Sequence, residues 1–85
     1  MSTTIITDAV FLSSNLELVY IINITNSAYK YRLDQNMITQ IQSLGSRIPI
    51  QIAFNNGSIV IYSQDSSNPS RGYFTFYAED FSGKV

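Results

Sequence analysis

Apolar and polar residues alternate at every second position through most of this chain, and the alternation breaks in one place. From Asp34 to Gly45, DQNMITQIQSLG, the residues Met37, Ile38, Ile41 and Leu44 recur at the spacing of one helical face. Gln35, Thr39, Gln40 and Gln42 fill the other face. Asp34 is placed to cap such a helix, because its carboxylate can accept from a free amide of the first turn. Gly45 offers the left-handed residue that closes many helices. The pattern predicts a helix here.

On either side the period is two, which predicts strands. Thr3 to Leu12 forms the first, with Ile5, Thr7, Ala9 and Phe11 inward and Asp8 outward. Leu16 to Ile24 forms the second, with Leu16, Leu18, Tyr20, Ile22 and Ile24 on one face and Glu17, Val19, Ile21 and Asn23 on the other. A turn at Thr25, Asn26 and Ser27 returns the chain through Tyr29, Tyr31 and Leu33, pairing Ile24 with Tyr29, Ile22 with Tyr31 and Tyr20 with Leu33. After the helix, Ile48, Ile50, Ile52 and Phe54 alternate with Pro49, Gln51 and Ala53. Asn56-Gly57 is a preferred type I′ hairpin pair, and counting outward from it sets Phe54 opposite Ile59 and Ile52 opposite Ile61. Gln64 to Gly72 reads as a loop, Tyr73 to Glu79 as the last strand, and Phe81 to Val85 as a frayed end. The expected fold class is α+β: a single domain, 1–85, with a mostly antiparallel sheet of five to six strands and one short helix, in the order β-β-β-α-β-β-β.

A helix of roughly 11 residues is only about 16 Å long and covers part of one sheet face. The opposite face then carries Val19, Ile21, Val60 and Tyr62, with Tyr73 and Tyr77 beside them. Those first four residues form the expected oligomer interface, since a lone copy would leave them in water.

Composition sharpens this picture. The 85 residues are 45% hydrophobic and only 13% charged, with net charge −1, so repulsion between copies is weak. The same balance disfavours duplex nucleic acid and anionic membranes. No apolar run nears the roughly 20 residues of a membrane helix, and the N-terminus lacks the pattern of a signal peptide, so a cytoplasmic location is expected.

Candidate chemistry is sparse. The chain has neither His nor Cys, which removes the commonest general base and the thiolate and imidazole metal ligands. Among the acids Asp8, Glu17, Asp34, Asp65, Glu79 and Asp80, only the last two are adjacent, and strand neighbours point to opposite faces. No phosphate-binding or nucleophile motif is present. Catalytic, metal and cofactor residues are therefore expected to be none. Rings and cations interleave at Tyr29-Lys30-Tyr31-Arg32 and at Arg71-Gly72-Tyr73, as in single-strand binders. Tyr29, Tyr31, Arg32, Arg71 and Tyr73 are accordingly the candidate ligand or partner contacts. Five cations against six anions make a weak phosphate track. The expected function is a small non-catalytic interaction protein, scaffold or inhibitor, that forms a homo-oligomer through its sheet and binds a further protein of unknown identity. Such a chain suits an accessory protein of a virus or mobile element. A single-stranded nucleic-acid or nucleotide-binding module is the alternative.

Overall fold

The computed structural model describes residues 5–82. It contains seven strands: β1 (Asp8–Phe11), β2 (Glu17–Ile22), β3 (Ser27–Arg32), β4 (Met37–Ser43), β5 (Arg47–Asn55), β6 (Ser58–Asp65) and β7 (Gly72–Ala78). They form two antiparallel meanders, a four-stranded sheet in the order β1-β2-β3-β4 and a three-stranded sheet in the order β5-β6-β7. The fold is all-β, and no helix occurs among the described residues.

The expected helix is β4, and the reason lies in a bulge. Tyr31 pairs with Ile38 and Lys30 with Gln40, leaving Thr39 as an extra residue whose hydroxyl donates to the Lys30 carbonyl at 3.4 Å. An inserted residue lets Ile38 and Ile41, three apart, lie on the same sheet face. Three-residue spacing is also one step of a helix, so bulged strand and helix share this signature. β-branched Ile38, Thr39 and Ile41 favour the strand. Asp34 caps nothing; it sits in the β3–β4 turn and takes an ion pair of 2.9 Å from Arg32.

Asparagine organises the turns. Asn15, Asn26, Asn36 and Asn56 all have positive φ, 51° to 58°, a region Asn tolerates better than most residues. Asn26 closes the β2–β3 turn two residues earlier than expected, so Tyr20 faces Tyr29 and Leu18 faces Tyr31, while Ile24 is exposed at the tip. The β5–β6 hairpin has the expected register, Phe54 to Ile59 and Ile52 to Ile61, around Asn56-Gly57, both with positive φ. Pro49 lies on the edge strand β5, next to a second bulge.

The core lies between the sheets. Val19, Ile21, Ile59 and Ile61 have no exposed surface, and Leu12, Ala28, Ile52, Tyr77 and Phe81 complete the cluster. Each buried aliphatic or aromatic side chain of this size stabilises by about 1.5–3 kcal/mol. β5 passes over β1, β2 and β3 and brings the two backbones together. There the Asp8 carboxylate accepts the Ile52 amide at 3.0 Å. Asp8 therefore points inward, opposite to the alternation expected for the first strand; Thr3 and Thr4, its expected beginning, lie outside the described residues.

The segment after β7 straps across the first sheet. Lys30, only 5% exposed, donates its ammonium to the Glu79 carbonyl and lies over the Phe81 ring, 5.4 Å from its centre. Its cross-strand neighbour Gln40 donates to the Asp80 carbonyl at 2.9 Å. Phe81 is thus a core residue, not a frayed one; Gly83 to Val85 lie outside the described residues.

Candidate functional site

Side chains alternate across each strand, so the register assigns every strand residue to the inner or the outer face of its sheet. On the first sheet, the outer face carries two cross-strand rows: Phe11, Leu18, Tyr31, Ile38, and then Ala9, Tyr20, Tyr29, Ile41. Tyr20 and Tyr29 stack with ring centres 5.1 Å apart. On the second sheet the rows are Ala53, Val60, Phe76 and Gln51, Tyr62, Phe74. The Tyr62 ring leans over Gly72, where a Cβ would come within 2.6 Å of the phenol oxygen. Ile41 is 63% exposed and Phe74 69%.

The charged strand residues lie on the other side. Asp8, Glu17, Lys30 and Arg32 share the parity of buried Val19 and Ala28, so they belong to the inner face or its continuation at the sheet end. Arg47 and Asp65 pair in register and share the parity of buried Ile61 and Ser63. β4 and β7 carry no charge. No residue in the outer-face rows of the described strands is charged, and both faces are rich in large apolar side chains; Asp8 of β1 reaches the rim of the second. That inverts the usual arrangement of a half-solvated antiparallel sheet.

The residues expected to form one interface are divided by the fold. Val19 and Ile21 are sealed in the core, while Val60 and Tyr62 lie half-buried on the outer face of the second sheet. The expected contact residues are also separated. Tyr29 and Tyr31 belong to the outer face of the first sheet; Arg32 turns from them to Asp34 and to Glu17, 2.9 and 3.9 Å away. Arg71 and Tyr73 are on the second sheet, and the Tyr73 ring lies 3.8 Å beneath the Arg47 guanidinium. Sequence reading missed Phe11, Ile38, Ile41, Phe74 and Phe76 as a surface. The absence of charge at every second strand position was the signal that could have found them.

Two shallow clefts, each about 280 Å³, open beside the sheets. One opens beside Asp8, Val60, Tyr62 and Phe74; the other lies between the end of β4 and β7, beside Gln42, Arg47, Thr75 and Tyr77. Neither gathers a base with a nucleophile. Burial raises the Tyr20 phenol above its ordinary range, with Tyr29 and Tyr31 adding to the effect, and burial also raises Tyr77. Both shifts move away from the lowered pKa of an acid-base tyrosine. The buried hydroxyl without a partner, Ser63, has Pro49 and Tyr73 as cross-strand neighbours, and the Tyr73 hydroxyl is directed to Asp65 at 3.4 Å. Among the described residues no cluster of three acidic groups could hold a metal ion. No helix there is long and apolar enough to cross a membrane.

The acids that do shift organise loops. The Ser67 hydroxyl and amide, at 2.7 and 2.9 Å, hold Asp65 below the usual carboxylate range. Ser82 does the same for Asp80, and Arg32 for Asp34. A carboxylate with a depressed folded pKa contributes stability above its unfolded pKa, about 3.9, and loses it as pH falls through the folded value. The urea midpoint is therefore expected to fall on acidification below about pH 4, and Asp65→Asn to flatten that dependence. An equally steep acid limb in the variant would remove Asp65 from the explanation.

Comparison with protein-family models, with curated proteins and with solved structures finds no match.

Proposed function

We propose that this chain is a non-catalytic interaction protein that assembles with copies of itself through its sheets. The observation that carries the reading is the charge-free character of both outer faces, with the strand charges on the inner side. A single copy in water gains nothing from that arrangement, because exposed apolar patches of this extent mark interaction surfaces. The molecule is a slab of 39 × 35 × 16 Å, so one broad face offers more than the roughly 800 Å² per partner of a standard interface. The low net charge offers little repulsion to set against contact between identical surfaces.

The nucleic-acid alternative has an aromatic platform in Tyr20, Tyr29 and Tyr31 but no cation beside it: Lys30 and Arg32 occupy the opposite face of the same strand. Phosphate contacts supply most of the affinity in such binders. No observation favours that reading over self-association.

Sedimentation at tens of micromolar tests the proposal. A dimer or larger species is expected, and Phe74→Lys, which sets a cation among the outer rings, is expected to weaken association by roughly tenfold or more. The melting temperature of the dilute variant should be close to that of the dilute unmodified chain. A strict monomer at every concentration overturns the proposal.

A further inference from the structure

β7 is the outermost strand of its sheet, and among the described strands it pairs with β6 alone. Natural edge strands carry charges, proline or bulges that block further pairing. β4, the corresponding edge of the first sheet, has the Thr39 bulge. β7 has none of these devices. Its seven residues, Gly72-Tyr73-Phe74-Thr75-Phe76-Tyr77-Ala78, pair with β6 without interruption and include no charge and no proline.

The hydrogen-bond phase of this edge follows from the ladder. The Asp65 amide donates to the Arg71 carbonyl at 3.1 Å, so Arg71, and by alternation Tyr73, Thr75 and Tyr77, direct their backbone groups to β6. The two-residue β5–β6 hairpin, closed at Asn55 and Ser58, gives the same phase. Gly72, Phe74, Phe76 and Ala78 then direct theirs outward, where the Ala78 carbonyl takes the Phe81 amide and the others meet no backbone partner among the described residues.

The strand also reads nearly the same in both directions about Thr75: Tyr-Phe-Thr-Phe-Tyr, flanked by the small residues Gly72 and Ala78, and beyond them by Arg71 and Glu79. We propose that β7 pairs antiparallel with β7 of a second copy, about a twofold axis through Thr75, to make one continuous sheet across the dimer. The inference rests on the self-association reading above and adds to it an edge contact, which extends the outer faces across two copies without covering them. An isologous twofold pairing sets each residue against its mirror position. Tyr73 meets Tyr77, Phe74 meets Phe76, and Thr75 meets itself. Phe74 and Phe76, whose amides and carbonyls point outward, become the hydrogen-bonded pair. Glu79 lies beyond the strand, its carboxylate accepting the Ser13 hydroxyl at 3.2 Å, so the pairing rests on β7 itself. Shifting either copy by two residues keeps the hydrogen-bond phase but loses the tyrosine pairing. Sequence symmetry and backbone phase therefore agree on a single register and on a second copy as the occupant.

Thr75→Cys tests that register. The chain has no cysteine, so each variant carries a single thiol. At a non-hydrogen-bonded antiparallel pair the Cα atoms lie about 4.5 Å apart, within disulfide range. Mild oxidation should convert Thr75→Cys to a covalent dimer, while Ile41→Cys and Val60→Cys, on the two outer faces, link far more slowly. Phe76→Pro removes an outward amide and leaves the β6 ladder intact, as proline does on an edge. It should raise the dimer dissociation constant by roughly tenfold or more. Hydrogen exchange gives the matching pattern: Phe74 and Phe76 amides gain protection only as concentration rises, while Thr75 and Tyr77 are protected throughout. Self-association with linkage at Ile41→Cys or Val60→Cys and none at Thr75→Cys would overturn the β7 contact and leave the broader reading standing. A monomer that links at no position would end both.

Discussion

Ile21→Ala is expected to destabilise the fold by about 3–4 kcal/mol, with the same loss at low and high protein concentration. The side chain has no exposed surface, and truncating such an isoleucine costs its transfer free energy plus that of the cavity left behind, about 2–5 kcal/mol in total. β2 is central in its sheet, held on both sides by β1 and β3, so the cavity cannot close by a strand shift. Domains of this size hold roughly 0.05–0.15 kcal/mol per residue, so the loss is a large part of the total. Each kcal/mol moves the melting temperature of a 60–100-residue domain by about 4–8 °C. Ile41→Ala, on the outer face, should change stability by about 0.5 kcal/mol or less in the dilute protein. Urea unfolding at two concentrations checks both. If Ile21 acted at an interface between copies, its effect would shrink on dilution, and that result would refute the core assignment.

The contrast between these isoleucines shows what could be read from the residues and what could not. Strand periodicity was legible through most of the chain, and the Asn56-Gly57 turn carried its own register. Which face turns inward was not legible, because the two faces of β2 are both apolar: Val19 and Ile21 on one, Leu18, Tyr20 and Ile22 on the other. Alternation separates two sets but ranks them only when one is polar. On β2 the face of Leu18, Tyr20 and Ile22 looked like core and that of Val19 and Ile21 like surplus; the fold places Val19 and Ile21 where two sheets must approach closely, and Tyr20 is buried on the other face against Tyr29. Lys30 and Asp8 compounded the inversion, since a charge ordinarily marks the solvent side. Each is inside because it has a backbone partner across the sandwich, the Glu79 carbonyl and the Ile52 amide. Those pairings span 49 and 44 residues of sequence and leave no local trace. The bulge at Thr39 hid β4 in the same way, by borrowing a helical interval.

Lys30→Ala is the other substitution expected to cost several kcal/mol, about 2–4 by the usual range for removing a buried side chain and its hydrogen bond. The ammonium holds the Glu79 carbonyl and lies over the Phe81 ring, and the methylene stem is buried with it. Removing both leaves a cavity, an unpaired carbonyl and a strap with one grip fewer. Lys30→Met separates the contributions. The thioether keeps most of the stem volume, so the cavity term largely vanishes; the orphaned carbonyl still costs about 1–3 kcal/mol, offset in part because a charge no longer has to be desolvated. Lys30→Met should therefore lie between the unmodified chain and Lys30→Ala. Phe81→Ala combined with Lys30→Ala should cost less than the two single losses together, since each removes part of the same contact. Exchange of the Phe81 amide, which donates to the Ala78 carbonyl at 2.9 Å, reports the strap directly and should quicken in Lys30→Ala. Equal unfolding free energies for the alanine and methionine variants, with Phe81 exchange unchanged, would show that the strap is held without Lys30.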